Sequence, residues 1–166
     1  SFSPLKKEDG FSGGVRLTRE TRKHKINFEY SYLGDDYRTD LGILRRIGAS
    51  KLAPYYEYTI FPKKSKLNNI SFGFYYWLWF KLNTSSENIL ENNFNIPVTF
   101  TFNNQSEIQL LYRQAHQFFK RDFDPTGINN DNPLAGGKIY KSNYIQLAYE
   151  SNPTEKFYFT LSQNYG

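Results

Sequence analysis

The stretch NISFGFYYWLWFKL, Asn69 to Leu82, constrains the fold more than any other part of the chain. Ile70, Phe72, Phe74, Tyr76, Leu78, Phe80 and Leu82 hold every even position, while Asn69, Ser71, Gly73 and Lys81 are among the odd ones. A period of two puts the even residues on one face of an extended strand, because successive side chains point to opposite sides. A membrane-spanning helix would need about 20 predominantly apolar residues, and this run is bounded by KKSKLNN and NTSSEN. At about 3.3 Å per residue the strand reaches about 40 Å, well beyond the usual strand of about five or six residues. Soluble sheets seldom need that length, whereas a tilted membrane strand of about 9 to 11 residues with an overhang does.

The same alternation recurs along the 166 residues. Ile26, Phe28, Tyr30 and Tyr32 oppose Asn27, Glu29 and Ser31; Phe94, Ile96, Val98, Phe100 and Phe102 oppose Asn95, Thr99 and Thr101; Phe157, Phe159 and Leu161 oppose Tyr158, Thr160 and Ser162. With turn residues as boundaries, eight strands are predicted near Gly13 to Glu20, His24 to Leu33, Pro54 to Phe61, Leu67 to Leu82, Phe94 to Phe102, Ser106 to Phe118, Lys138 to Ser151 and Lys156 to Asn164. No amphipathic helix is predicted. The connectors alternate between tight (TRK, PKKSK, NNQ, NPTE) and open (Gly34 to Ala53, Asn83 to Asn93, Phe119 to Gly137). Outer-membrane barrels have that asymmetry, with short periplasmic turns and longer extracellular loops. The expected fold is therefore all-β, an antiparallel up-and-down meander over residues 1–166 that forms a transmembrane β-barrel or a segment of a larger one. An even meander of this kind leaves both ends on the long-loop side, so the terminal strands are expected to pair with further barrel strands or within a larger membrane complex.

Composition agrees. Apolar residues are 39% without the 11 glycines, and aromatics are 19%, with 14 Tyr and 15 Phe. Such side chains suit strands and membrane interfaces. Cysteine is absent, which excludes disulfide scaffolds, thiolate metal sites and thiol catalysis. The net charge of +5 is spread over RLTRETRKHK, LRRIG and FPKKSK at expected turns and loops, and no nucleic-acid-binding motif accompanies it. A soluble up-and-down barrel that binds a carbohydrate or lipid, with Tyr75, Trp77 and Trp79 stacking on the ligand, produces a similar alternation. Strand length, the many polar inward positions and the girdle-like Tyr55, Tyr56 and Tyr58 favour the membrane.

DDYRTDLGILRRIGASKLAPYYEYTIFPKK, Asp35 to Lys64, with Asp40, Gly42, Arg45 and Arg46 in a D-x-G-x-x-x-R pattern, resembles the barrel of a family of uncharacterised Gram-negative outer-membrane proteins. Full-length members of that family carry an N-terminal domain like a family-nine carbohydrate-binding module. FDPTG and the ending from LAGGKIYK to Gly166 also resemble it. The resemblance implies a barrel in the bacterial outer membrane and leaves its solute open.

Four constellations bear on chemistry. DFDPTGINNDN partly fits a calcium loop through Asp122, Asp124, Thr126 and Asn130, but Pro133 holds the place of the bidentate Glu, so an Asx- and Pro-rich turn is the simpler reading. Arg45 and Arg46, with Asp40, form a lumen or loop site if the first long loop folds inward, and otherwise pair with loop acids or lipopolysaccharide phosphates. Asp35, Asp36 and Asp40 read as solvated loop acids, and His24 and His116 as solvated or lumenal. Ile70, Phe72, Phe74, Tyr76, Leu78 and Phe80 are expected to face lipid. The expected function is non-enzymatic, as porin, transport component or membrane anchor, without a cofactor, with outer-membrane lipid and lipopolysaccharide as partners and no nucleic acid.

Overall fold

The structure is a computed structural model that describes residues 10–34, 48–81, 89–119, 121–124, 133–154 and 156–166. Eight strands follow in order: β1 (Ser12–Glu20), β2 (His24–Leu33), β3 (Ala49–Ile60), β4 (Leu67–Phe80), β5 (Ile89–Phe102), β6 (Glu107–Phe119), β7 (Lys138–Glu150) and β8 (Thr160–Tyr165). Each pairs antiparallel with its chain neighbours in a single sheet ordered β1 to β8. The sheet is open. Val15 and Leu17 pair with Tyr30 and Phe28, Leu161 pairs with Tyr149, and among the described residues no ladder joins β1 to β8.

Three strand starts differ from the sequence reading. β3 begins at Ala49 and not at Pro54, because the β2 ladder runs on unbroken to the pair Leu33 and Ala49. Pro54 lacks a donor on one side only: it still pairs with Phe28, while the β3–β4 register skips from Leu52 to Tyr55. Pro97 behaves alike, pairing with Leu111 where the β4–β5 register skips from Phe72 to Tyr75. Proline is normally confined to edges and bulges, and here both interruptions fall on the ladders of β4. β5 begins at Ile89, where its Asn-rich start Glu91–Asn93 lies along Trp77 to Trp79 and β6. β8 begins only at Thr160, because the chain after β7 turns through residues 152–154 and rejoins through Ser151 N–H to Phe159 C=O at 3.0 Å.

The connectors are less regular than expected. Residues 21–23, 61–66 and 103–106 make tight links on one edge, and 34–48 and 120–137 make long ones on the other. The link 81–88 is shorter than expected, and 151–159, on the tight edge, exceeds it.

Register assigns the faces. One row runs His24, Tyr58, Phe72, Val98, Leu110 and Leu147; the next runs Ile60, Ile70, Phe100, Ile108, Tyr149 and Leu161. These rows belong to an apolar face that crosses the sheet. The opposite face carries Asn27, Tyr55, Tyr75, Asn95, Arg113 and Tyr144 as one row of cross-strand partners. The sheet is one layer: the described strands touch only their sheet neighbours. A central core is accordingly lacking among the described residues, where buried apolar side chains are limited to Ala49, Ala53 and Leu90.

Candidate functional site: two faces and a rim

The polar face is tied together by side chains across strands. Arg16 of β1 and Lys51 of β3 both donate to Glu29 of β2, Arg16 Nη2 to Oε2 at 2.6 Å and Lys51 Nζ to Oε1 at 2.8 Å. A carboxylate shared between two cations locks three strands in register, and the shielded Lys51 arm contributes more than the exposed Arg16 arm. Toward the tight turns, Tyr55 donates its hydroxyl to Glu57 at 2.6 Å and Thr59 meets Ser71 at 3.1 Å.

Across the middle of the same face, Asn93 is 3% exposed and its Oδ1 accepts from Asn95 Nδ2 at 2.9 Å and from Arg113 Nε at 3.2 Å. Arg113 Nη1 donates in turn to the Tyr144 hydroxyl at 3.2 Å, with the guanidinium over the Tyr144 ring. The polar groups of β5, β6 and β7 are thus partly satisfied by one another, as groups half removed from water require. The face also carries rings: Tyr55 and Tyr75 meet edge-on at 6.2 Å, and Trp77 and Trp79 follow Tyr75 on the same side of β4, opposite Asn93 and Glu91. Gly73 is buried here under Pro97.

The apolar face is the more open of the two. Leu17, Ile26, Tyr56, Phe72, Phe74, Leu110, Ile145, Leu147 and Leu161 are all exposed large apolar side chains, and the register puts every one of them on it. Leu17 and Leu161 reach 63%, Phe72 44%. Ile70, Phe72, Phe74, Tyr76, Leu78 and Phe80 share this face, and the Phe74, Phe94 and Tyr112 rings pack edge to face along it. The described strands form one layer, so no second layer covers either face, and the apolar side is the more exposed of the two.

At the tight-turn edge the apolar face ends in aromatic groups. His24 Nδ1 lies 3.0 Å from the Tyr56 hydroxyl, and its ring lies 5.0 Å from that of Tyr58. Beyond them Arg22 stacks over Phe61 at 4.8 Å. The girdle expected from Tyr55, Tyr56 and Tyr58 is thus split: Tyr56 and Tyr58 are on the apolar face, and Tyr55 is on the polar one.

His24 and His116 both fall at apolar-face positions, and neither is on the polar wall. Asn92 Nδ2 lies 3.3 Å from His116 Nδ1, while the buried His116 Nε2 has no hydrogen-bond partner among the described residues. Asp40, Arg45 and Arg46 lie outside the described residues, as do Asp35, Asp36, Thr126 and Asn130. Asp122 Oδ1 accepts from the Gly136 N–H at 2.7 Å, a loop-closing bond that fits the Asx-turn reading. Asp124 is next to the bridge of Phe123 with Leu134, and among the described residues no group of carboxylates or histidines is spaced to hold a metal ion.

Glu29, Asn93 and Arg113 were not singled out from sequence. Their signal was present: ionic and amide residues in strand interiors, at positions opposite the apolar ones.

A one-layer antiparallel meander, open at both edges and with an exposed apolar face, is the class that fold and faces define. The chain belongs to a domain family of unknown function, DUF5916, whose model matches residues 2–166. No curated protein and no solved structure matches it.

Proposed function

We propose that this chain forms part of the wall of a bacterial outer-membrane β-barrel, with the apolar face against acyl chains and the polar face toward the lumen. One observation carries the reading: most of the exposed large apolar side chains lie on one face, while Asn93, Gly73 and Ala53 on the opposite face are buried. Water disfavours an uncovered apolar surface that spans all eight strands, whereas acyl chains remove that cost and the sheet ladders satisfy the backbone in lipid. The resemblance of residues 35–64 to outer-membrane barrels supports the same reading.

The role is passive, as porin, transport component or anchor, and none of these requires a reacting group. Within the lumen, the Arg16, Glu29 and Lys51 cluster and Arg113 set fixed charges that select solutes by sign and size. The second reading, a soluble barrel that binds a carbohydrate, draws on Tyr75, Trp77 and Trp79 beside Asn93 and Glu91, since rings next to amides and carboxylates suit a sugar's apolar face and hydroxyls.

Fractionation of cells separates the two. The membrane reading expects the protein in the outer-membrane fraction and its release only by detergent. Release by salt or alkali without detergent would overturn it in favour of the soluble barrel.

A further inference from the structure

The tight-turn edge carries a basic ledge at its β1–β2 and β3–β4 turns. Lys23 C=O accepts from Thr59 N–H at 2.8 Å, which ties the β1–β2 turn to the end of β3, and Lys66 C=O accepts from Asn103 N–H at 2.9 Å, which ties the β3–β4 turn to the β5–β6 turn. Asn103 Nδ2 adds a second bond, to Ser65 C=O at 2.8 Å. Three turns are therefore held side by side. Arg22, Lys23, Lys63, Lys64 and Lys66 are exposed on this ledge, and neither the 21–23 nor the 61–66 turn contains a carboxylate. Among the described residues these cations form no ion pair with a carboxylate; the nearby Lys25, by contrast, lies 4.0 Å from Glu20.

A groove opens where this ledge meets the apolar face. About 370 Å³ in volume, it is floored by Phe102, Ile108 and Tyr149 of the apolar face, with Lys66, Asn103 and Ser106 at its rim. An apolar floor that continues the exposed face, capped by a lysine and an amide beside cations that have no carboxylate partner among the described residues, matches a molecule that is apolar at one end and anionic at the other. We propose that this rim seats an anionic glycerophospholipid, with the glycerol end of its acyl chains in the groove and its phosphate between Lys66 and the neighbouring cations of the ledge. The proposal rests on the membrane reading and deepens it, since the tight turns would then face the periplasmic leaflet, where glycerophospholipid is the phosphate source. Tyr56, Tyr58 and the His24 ring stand just inside the ledge, at the level where amphipathic rings mark the headgroup boundary.

The test uses the full-length protein purified in detergent and stripped of lipid, then offered phosphatidylglycerol, phosphatidylcholine or lipid A, with retained lipid counted by native mass spectrometry. A preference for phosphatidylglycerol over phosphatidylcholine of at least about tenfold is expected, since each cation near an anionic surface contributes about 1 kcal/mol. Lys63→Gln/Lys64→Gln/Lys66→Gln should abolish the preference, Lys138→Gln/Lys141→Gln at the opposite edge should leave it intact, and Ile108→Trp, which fills the groove, should reduce retention of both phospholipids. Equal retention of the two phospholipids by the native protein, or equal loss in both lysine variants, would overturn the seat. Tighter retention of lipid A would overturn the assigned lipid. Flotation of the native protein with phosphatidylcholine vesicles is the separate control: floating without the headgroup preference removes only the seat, and failure to float removes the membrane reading itself.

Discussion

Gly73 and Pro97 lie against each other so closely that a Cβ on residue 73 would come within 2.7 Å of the proline Cγ. The two sit opposite each other on the polar face, where the β4–β5 ladder is interrupted. The proline ring thus occupies the side-chain space that glycine leaves empty. Gly73→Ala should destabilise the sheet by about 1 to 3 kcal/mol, the usual cost of overpacking. Pro97→Ala alone should be milder, and the double variant should recover most of the loss. Urea unfolding of the detergent-solubilised protein measures all three, and additive losses would refute the packing account.

The shared carboxylate of Glu29 yields an asymmetric prediction. Lys51 and Glu29 have side chains 25% and 21% exposed, whereas that of Arg16 is 66% exposed. Glu29→Ala leaves a half-shielded ammonium without its partner and should cost about 1 to 3 kcal/mol. Arg16→Ala removes an exposed pair and should cost less than about 1 kcal/mol. Lys51→Ala in the Glu29→Ala background should restore stability in part. Equal costs for the two single variants would show that the pairs do not differ in shielding.

The face assignment was legible in the sequence because period-two alternation is a local property: once Ile70, Phe72 and Phe74 alternate with Ser71 and Gly73, the strand's two sides follow. What joins one strand to another was not legible. Arg16, Glu29 and Lys51 meet through the registers of two ladders, and nothing in the local sequence indicates that residue 29 lies beside residue 51. Pro54 misled in a different way. With turn residues as boundaries it marks a strand's first residue, yet the ladder with β2 carries β3 back to Ala49. Trp77 and Trp79 show that alternation ranks faces by polarity only on average, since two of the largest apolar rings stand on the polar wall opposite Asn93 and Glu91.

Substitutions to arginine separate the faces in energy. On the membrane reading, Phe74→Arg, at a position 39% exposed on the apolar face, would put a charge among acyl chains, at a cost of about 2 to 4 kcal/mol near the midplane. Ser71, on the polar face beside Thr59, loses only a hydroxyl contact at 3.1 Å as Ser71→Arg, and should be mild. Folding into vesicles, followed by denaturant titration, compares the two. Equal effects would remove the case for one lipid-facing side.

The open edges carry the final prediction. β1 and β8 each have one ladder and one unpaired side, and the described residues bring no strand to either. In lipid, unpaired N–H and C=O groups cost several kcal/mol each by general estimate, about as much as a small domain's whole stability when summed over a strand. The membrane reading therefore requires both edges to be paired, and the eight-strand order shows no pairing between them. Further strands, from the same or another polypeptide, satisfy both conditions. The chain has no cysteine, so introduced pairs report without background. Leu17→Cys with Phe28→Cys joins residues already opposite in the ladder, and should crosslink readily in membranes under mild oxidation. Leu17→Cys with Leu161→Cys should form no bond within one chain. A high yield of that second bond would mean that β1 and β8 close on each other in the membrane, and that eight strands complete the barrel without help.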